Sequence, residues 1–181
     1  MAEYDIRVAE ATDIEQFAEI VNYYIENTAV NFHDRSQSEE DWEATWEVLH
    51  EQYPFVVAEK DEVLGGIAYA SPWKLRGAYK WTCEVTVYVR AGHERKGLGR
   101  ALSQRMLELL EAQGYRAVVA VIALPNEASV ALHESLGFEH AGTLKQLGFK
   151  NGSWRDVSFW QRFNGDPASE PSDIKPVSEI V

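Results

Sequence analysis

The stretch Trp81-Thr82-Cys83-Glu84-Val85-Thr86-Val87-Tyr88-Val89-Arg90-Ala91-Gly92-His93-Glu94-Arg95-Lys96-Gly97-Leu98-Gly99-Arg100 decides the fold. Its first half alternates. Cys83, Val85, Val87 and Val89 share one face, and Glu84 lies on the other with Thr82, Thr86 and Tyr88. That period predicts a strand over 81–89. The second half is a polar loop that leads into a helix from about Leu98 to Gln113, stopped by Gly114. A strand that passes through a short loop into a helix gathers free N–H donors and a positive dipole at one point, a seat for phosphate. Gly97 and Gly99 hold no side chain against a ligand, and Arg95, Lys96 and Arg100 supply countercharge. The loop has neither the Gly-Lys-Ser/Thr of a P-loop nor the third glycine of the dinucleotide pattern. Without the cations, a plain strand–helix turn would explain the glycines equally well.

On the N-terminal side, residues 4–8 alternate weakly as a first strand. Thr12, with Glu15 three residues on, is the expected cap of a helix carrying Ile14, Phe17, Ala18, Val21 and Ile25. A polar loop follows over 27–38. Ser38 then caps a second helix with Trp42, Trp46 and Leu49 on one side, a pattern of packing rather than of a ligand box. Strands are expected at 55–59 and 63–70, around a turn at 60–62. On the C-terminal side, 115–124 is a nearly continuous apolar run, as in a strand covered on both faces. Pro125 opens a helix ending at Gly137, and two last strands join at Asn151-Gly152. The succession predicts one mixed α/β domain around a single sheet over 1–163. A proline-containing acidic tail, 164–181, holds Pro167, Pro171 and Pro176 and is expected to add little to the core.

The 181 residues carry 17 bases and 29 acids, a net charge of −12. The charge is uneven. Between Trp73 and Arg105 eight cations face only Glu84 and Glu94, giving +6 there and −18 elsewhere. Net acidity argues against nucleic acid or an anionic membrane as partner, while the basic island marks where an anionic ligand would bind. No stretch approaches the ~20 apolar residues of a membrane span. Residues 1–11 do not read as a signal peptide. The lone Cys83 fits a reducing, cytoplasmic setting. His33, His50, His93, His133 and His140 form no short-spaced cluster, so no metal site is expected.

Together these segments resemble the GNAT superfamily of acetyl-CoA-dependent N-acetyltransferases. The superfamily's loop motif is Gln/Arg-x-x-Gly-x-Gly/Ala, which Glu94-Arg95-Lys96-Gly97-Leu98-Gly99 matches except at Glu94. Asn126, Ala131, Leu132, Gly137 and Phe138 match a second superfamily feature. Pro72-Trp73-Lys74, Arg76, Ala78-Tyr79, Thr86-Val87-Tyr88-Val89, Leu124-Pro125-Asn126, His133-Glu134 and Gly148-Phe149-Lys150 look like the phosphinothricin N-acetyltransferase family within it. The resemblance implies a mixed, mostly antiparallel central sheet flanked by helices, and direct attack of a primary amine on acetyl-CoA in a ternary complex. It also implies a small amino-acid substrate, a homodimer and, for phosphinothricin, herbicide resistance.

Glu84 is the candidate general base, since a carboxylate on so apolar a strand is desolvated and its pKa raised. His133 is the candidate acid for the departing thiolate, at a position where many relatives have Tyr. Tyr88 is an alternative donor better suited to packing. By the resemblance, the main chain of Val87, Tyr88 and Val89 pairs with the pantetheine arm. Arg95, Lys96, Gly97, Leu98, Gly99 and Arg100 hold the pyrophosphate, and Asn126 meets coenzyme A. Lys74, Arg76 and Tyr79 match residues that meet the substrate anion, where an Arg can grip two oxygens at once. Asn31 and Phe32 are expected to shape the pocket. Alternative readings are acetylation of methionine sulfone or sulfoximine, and an inactive acetyl-CoA-binding sensor.

Overall fold

The alternating stretch forms β4 (Thr82–Val89) at the centre of a seven-stranded sheet in a computed structural model that describes residues 4–166 and 169–181. In chain order the other elements are β1 (Asp5–Val8), α1 (Ile14–Asn27), α2 (Glu39–Leu49), β2 (Phe55–Lys60) and β3 (Val63–Pro72), then α3 (Leu98–Gln113), β5 (Ala117–Ala123), α4 (Glu127–Ser135), β6 (Glu139–Lys150) and β7 (Ser153–Phe163). The sheet order is β1-β2-β3-β4-β5-β7-β6. Every neighbouring pair is antiparallel except β4 and β5. The expected mixed, mostly antiparallel sheet is therefore observed.

The two faces bury different halves of the chain. Val56, Ala58, Ala68, Ala70 and Cys83 face α3 with Leu102, Met106 and Leu110. Phe55, Val57 and Ile67, alternating with them, pack under α1 and α2 against Phe17, Trp42 and Trp46. Trp42 and Trp46 are thus core residues. Ser38 caps α2 as expected: its Oγ accepts from Asp41 N at 3.1 Å, and its N donates to the Asp41 carboxylate at 2.9 Å. Asn151 and Gly152 turn the last hairpin at φ 52° and 72°, left-handed values that this pair tolerates.

Four expectations need correction. Thr12 does not cap α1. A 3-10 turn occupies Ala11–Asp13, and Asp13, gripped by Arg7 Nη1 and Nη2 at 2.8 Å each, accepts from Glu10 N. The 115–124 run is not covered on both faces, for Val121 is 36% exposed. The helix after β5 starts at Glu127, capped by Asn126 rather than opened by Pro125. The tail also joins the core. Ile174, Val177 and Ile180 recur at intervals of three: Ile174 and Ile180 pack against the core on the α3 side, Val177 is buried, and Val177 N donates to Glu51 O at 2.8 Å. Pro176, between the first two, conceals the apolar stripe. Of the tail prolines, Pro167 lies outside the described residues, as do residues 1–3 of the N-terminal segment.

Candidate active site

β4 and β5 pair only over Thr82–Glu84 and Ala117–Val119. Beyond that register their ladder ends, while β3 continues alongside β4 to Val89 and β7 alongside β5 to Ala123. The sheet therefore opens like a V between two strands that are each held from the outside. A cleft of about 990 Å³ fills the opening. Both limbs line it, with residues 85–89 from β4 and 120–123 from β5, and it runs to Gly97, Gly99 and Arg100 at the start of α3. That volume is at the upper end of the ordinary range for small-ligand sites.

Glu84 sits where the pairing stops. It lines the cleft and is mostly buried, and that burial raises its pKa above the usual carboxylate range, partly opposed by the charge of Lys74. Thr86 and Tyr88 share its face, as alternation predicted. Tyr88 is packed 4.6 Å from the Tyr24 ring, and its hydroxyl accepts from Asn31 Nδ2 at 3.0 Å. Burial first, and then neighbouring Tyr69, push its pKa far above the ordinary phenol. Tyr88 is therefore a wall rather than a ready proton donor.

His133 reaches the cleft from α4 and is buried. Its Nδ1 lies 2.8 Å from Ser129 O, which can only accept, so Nδ1 carries the proton and Nε2 is the bare acceptor of the neutral ring. Burial lowers its pKa, and the Ser129 bond partly restores it. Near neutrality the ring must therefore take a proton before it can give one.

The loop expected to seat phosphate has an open backbone. Gly97 is at φ 83°, where a side chain would strain the backbone, and a Cβ there would meet nothing within 4 Å. Arg95 holds the left-handed conformation without being glycine, at φ 59°. Glu94 is exposed and lines the cleft, and its carboxylate accepts from Gly92 N at 2.9 Å. Arg95, Leu98 and Arg100 line the cleft with the glycines, whereas Lys96 is exposed beside it. The ladder-free edge of β4, the open glycine cradle and the helix start fit a long ligand with an extended arm and a diphosphate end. Asn126 also lines the cleft, but its Oδ1 is engaged in capping α4, accepting from Ser129 N at 3.2 Å.

Lys74, Arg76 and Tyr79 lie in the loop between β3 and β4, which leaves the sheet next to Glu84. Lys74 is 4.6 Å above the Trp73 ring, and its charge reaches Glu84. None of the three is among the described residues that line the cleft; all are exposed. Sequence reasoning missed several groups that do line it. Tyr24 donates to Val89 O at 2.7 Å, so one carbonyl on the strand expected to meet pantetheine already has a partner. His93 Nδ1 is 2.7 Å from Tyr4 Oη, tying the glycine loop to β1. Tyr24 follows Phe17 by seven residues and borders the apolar stripe of α1, so its spacing reads as packing and gave no signal of a site role. The Tyr4–His93 pair spans 89 residues and left no local signal. Among the described residues no group of three or more His, Cys, Asp or Glu is placed to hold a metal ion, and no helix is long and apolar enough to cross a membrane.

Comparison with known proteins agrees with this geometry. The sequence profile of the acetyltransferase (GNAT) domain matches residues 6–159. The chain is 49% identical to the phosphinothricin N-acetyltransferase of Streptomyces viridochromogenes, over 97% of this chain and 96% of that protein. It is 35% identical to the L-methionine sulfoximine/L-methionine sulfone acetyltransferase of Salmonella typhimurium, over 86% of this chain and 92% of that one. Among solved structures, the phosphinothricin acetyltransferase of Sinorhizobium meliloti in complex with acetyl-CoA superposes with a TM-score of 0.90 at 32% identity, covering 95% of this chain and 94% of that one.

Proposed function

The chain belongs to the GNAT acetyltransferases, and from that premise we propose that it moves an acetyl group from acetyl-CoA to the amine of phosphinothricin or a similar small amino acid. The observation that carries the reading is the desolvated Glu84 at the apex of the cleft, in line with the glycine loop. The stronger likeness to a phosphinothricin enzyme than to a methionine sulfoximine enzyme favours the first substrate. Acetyl-CoA, when bound, supplies the acyl group as a thioester.

Gly97, Leu98, Gly99, Arg95 and Arg100 would seat the diphosphate, with Lys96 adding charge from outside and Asn126 bordering the arm. The β4 edge at Val87, Tyr88 and Val89 would align the arm and offer an N–H to the carbonyl oxygen as it gains charge. Lys74, Arg76 and Tyr79 would meet the substrate's acidic group by an inward movement of their loop. Glu84 takes a proton from the substrate ammonium, so that the free nitrogen can attack the carbonyl carbon. As the N–C bond forms and the C–S bond breaks, His133 Nε2 accepts the second nitrogen proton and hands it to the departing sulfur. Protons then balance, with one released to solvent through Glu84.

Residues 1–163 would form the transferase domain and 164–181 its acidic extension. A cytoplasmic homodimer completes the reading. It is supported by exposed Leu144, Leu147, Phe149 and Trp154 on the last hairpin, an apolar surface that isolated monomers seldom leave bare. Sedimentation at micromolar concentration should give twice the chain mass, and a monomer would remove that part. The transferase itself is tested by thiol release with acetyl-CoA and a panel of amino acids that includes phosphinothricin and methionine sulfone. Thiol release that ignores the amine, or none at all, would refute it.

A further inference from the structure

The polar loop 28–38 is held by a group that no step above uses. Lys150, the last residue of β6, extends its ammonium to three backbone carbonyls: Ile25 O at 2.7 Å, Asn31 O at 2.6 Å and His33 O at 2.9 Å. These come from the last turn of α1 and from two points in the loop. Three donors meet three convergent acceptors, with nothing left over. Next to this contact Gly148 lets the Phe32 ring lie directly on β6, since a Cβ there would collide with it. Asn31 carries the attachment onward to the Tyr88 hydroxyl and is itself buried. Val30, Asn31, Phe32 and His33 all line the cleft.

The loop's side of the sheet matters. It follows α1 over the face that carries Glu84, Thr86 and Tyr88, whereas α3 covers the other face. Residues 30–33 of this loop and Glu84 line the same cleft, so an amine at Glu84 would have the loop as one wall of its site. We propose that Lys150 is a positioning residue for the acceptor: its ammonium fixes the 28–38 loop as the wall against which the substrate amino acid is held. The inference rests on the transferase reading of the cleft. Desolvation lowers the Lys150 pKa and nearby Asp34 raises it, so the charge is held at some cost where the carbonyls need it.

The test uses the full chain with Lys150→Met, which keeps the stem and removes the charge, and two readouts. The first needs no turnover. Arg35 is the trypsin site within the loop, and cleavage after it, followed by mass spectrometry, should speed up about tenfold, as expected from losing charge-assisted bonds. In the second, the KM for the amine should rise about tenfold while the Kd for coenzyme A stays within about twofold. Cleavage at the wild-type rate, an unshifted amine KM, or an equal loss toward amine and coenzyme A would each overturn the proposal. If Lys150→Met does not fold, Lys150→Arg answers the same question. A planar guanidinium keeps the charge but cannot cap three convergent carbonyls, so both readouts should still move, and wild-type values for both would refute it. A wild-type chain that acetylates no amine would sink the transferase reading and leave the cleavage comparison standing.

Discussion

Replacing Glu84 by Gln removes a charge and a proton acceptor while keeping shape and one carbonyl oxygen. The group is mostly buried, borders the cleft and feels the opposing charge of Lys74. Loss of a positioned general base costs about 10²–10⁴ in rate, roughly 2.7–5.5 kcal/mol of barrier. The deficit in kcat/KM should be largest near neutrality. It should narrow as pH rises, because the free amine fraction grows tenfold per unit below the amine's pKa without help from the enzyme. The wild-type profile should fall on its acid side through the raised Glu84 pKa, at a pH above the ~4.3 of an ordinary glutamate. Glu84→Gln should lack that limb. Stability should move the other way. A carboxyl whose folded pKa is raised disfavours folding once ionised, a penalty that is present above the folded pKa and gone below the unfolded one. Glu84→Gln should therefore melt higher than wild type at pH 7, with the gain fading as pH falls toward ~4. The assay is thiol release from pH 5 to 10, with melting curves over pH 4 to 8. Equal turnover at pH 7 would remove Glu84 as base. A lower Tm for the variant would show that the carboxylate is not held against its own desolvation.

Three further outcomes are expected. Arg76→Ala should lose more kcat/KM with phosphinothricin than with methionine sulfone, whose side chain is uncharged, and equal losses would count against a clamp on the side-chain anion by this exposed residue. Glu94→Gln keeps an acceptor for Gly92 N but removes a negative charge from the proposed phosphate seat. The Kd for coenzyme A should then fall about threefold at low salt and converge with wild type at high salt, and a salt-independent change would point to loop geometry instead. Val177→Ala, in the strap that donates to Glu51 O, should cost about 1–3 kcal/mol, a drop in Tm of roughly 2–10 °C. An unchanged Tm would return the tail to the periphery.

The elements that sequence made legible were those specified locally. Alternation in 81–89 fixed which side of β4 carries Glu84, and Gly97 and Gly114 bounded α3 within one residue. Ser38 found Asp41 because a capping box is complete within four residues. The failures share a cause as well. Asp13 displaced Thr12 because Arg7, six residues back on β1, holds its carboxylate. The tail's apolar stripe acquired meaning only when Gln113 Nε2 and Glu51 O received it, donating to Lys175 O at 2.8 Å and accepting from Val177 N. In the site, Glu84 and the glycine loop were legible as one continuous stretch, and Asn126, His133, Asn31 and Phe32 only through the family resemblance, whereas the Tyr24–Val89, Tyr4–His93 and Lys150 contacts were not foreseen. Lys150 meets carbonyls 117 to 125 residues away, and no local period encodes such a distance.

The one parallel pair in an otherwise antiparallel sheet explains why these features coincide. A parallel neighbour cannot be reached by a hairpin, so the chain must cross over, and α3 is that crossover between β4 and β5. The crossover begins at the end of β4, which sets a helix N-terminus and its unpaired donors at the mouth of the opening. The antiparallel partners β3 and β7 hold the two limbs in place after their mutual ladder ends, so the gap persists without collapse. Backbone groups on the inner edge are then left for a ligand, and the side chain at the last paired position is desolvated by both strands while it faces the opening. Glu84 is that side chain. A proposed phosphate seat, an edge for an extended arm and a carboxylate with a raised pKa thus follow from one interruption in hydrogen bonding, which is why the proposed base lies where the ladder ends rather than at the rim of the cleft.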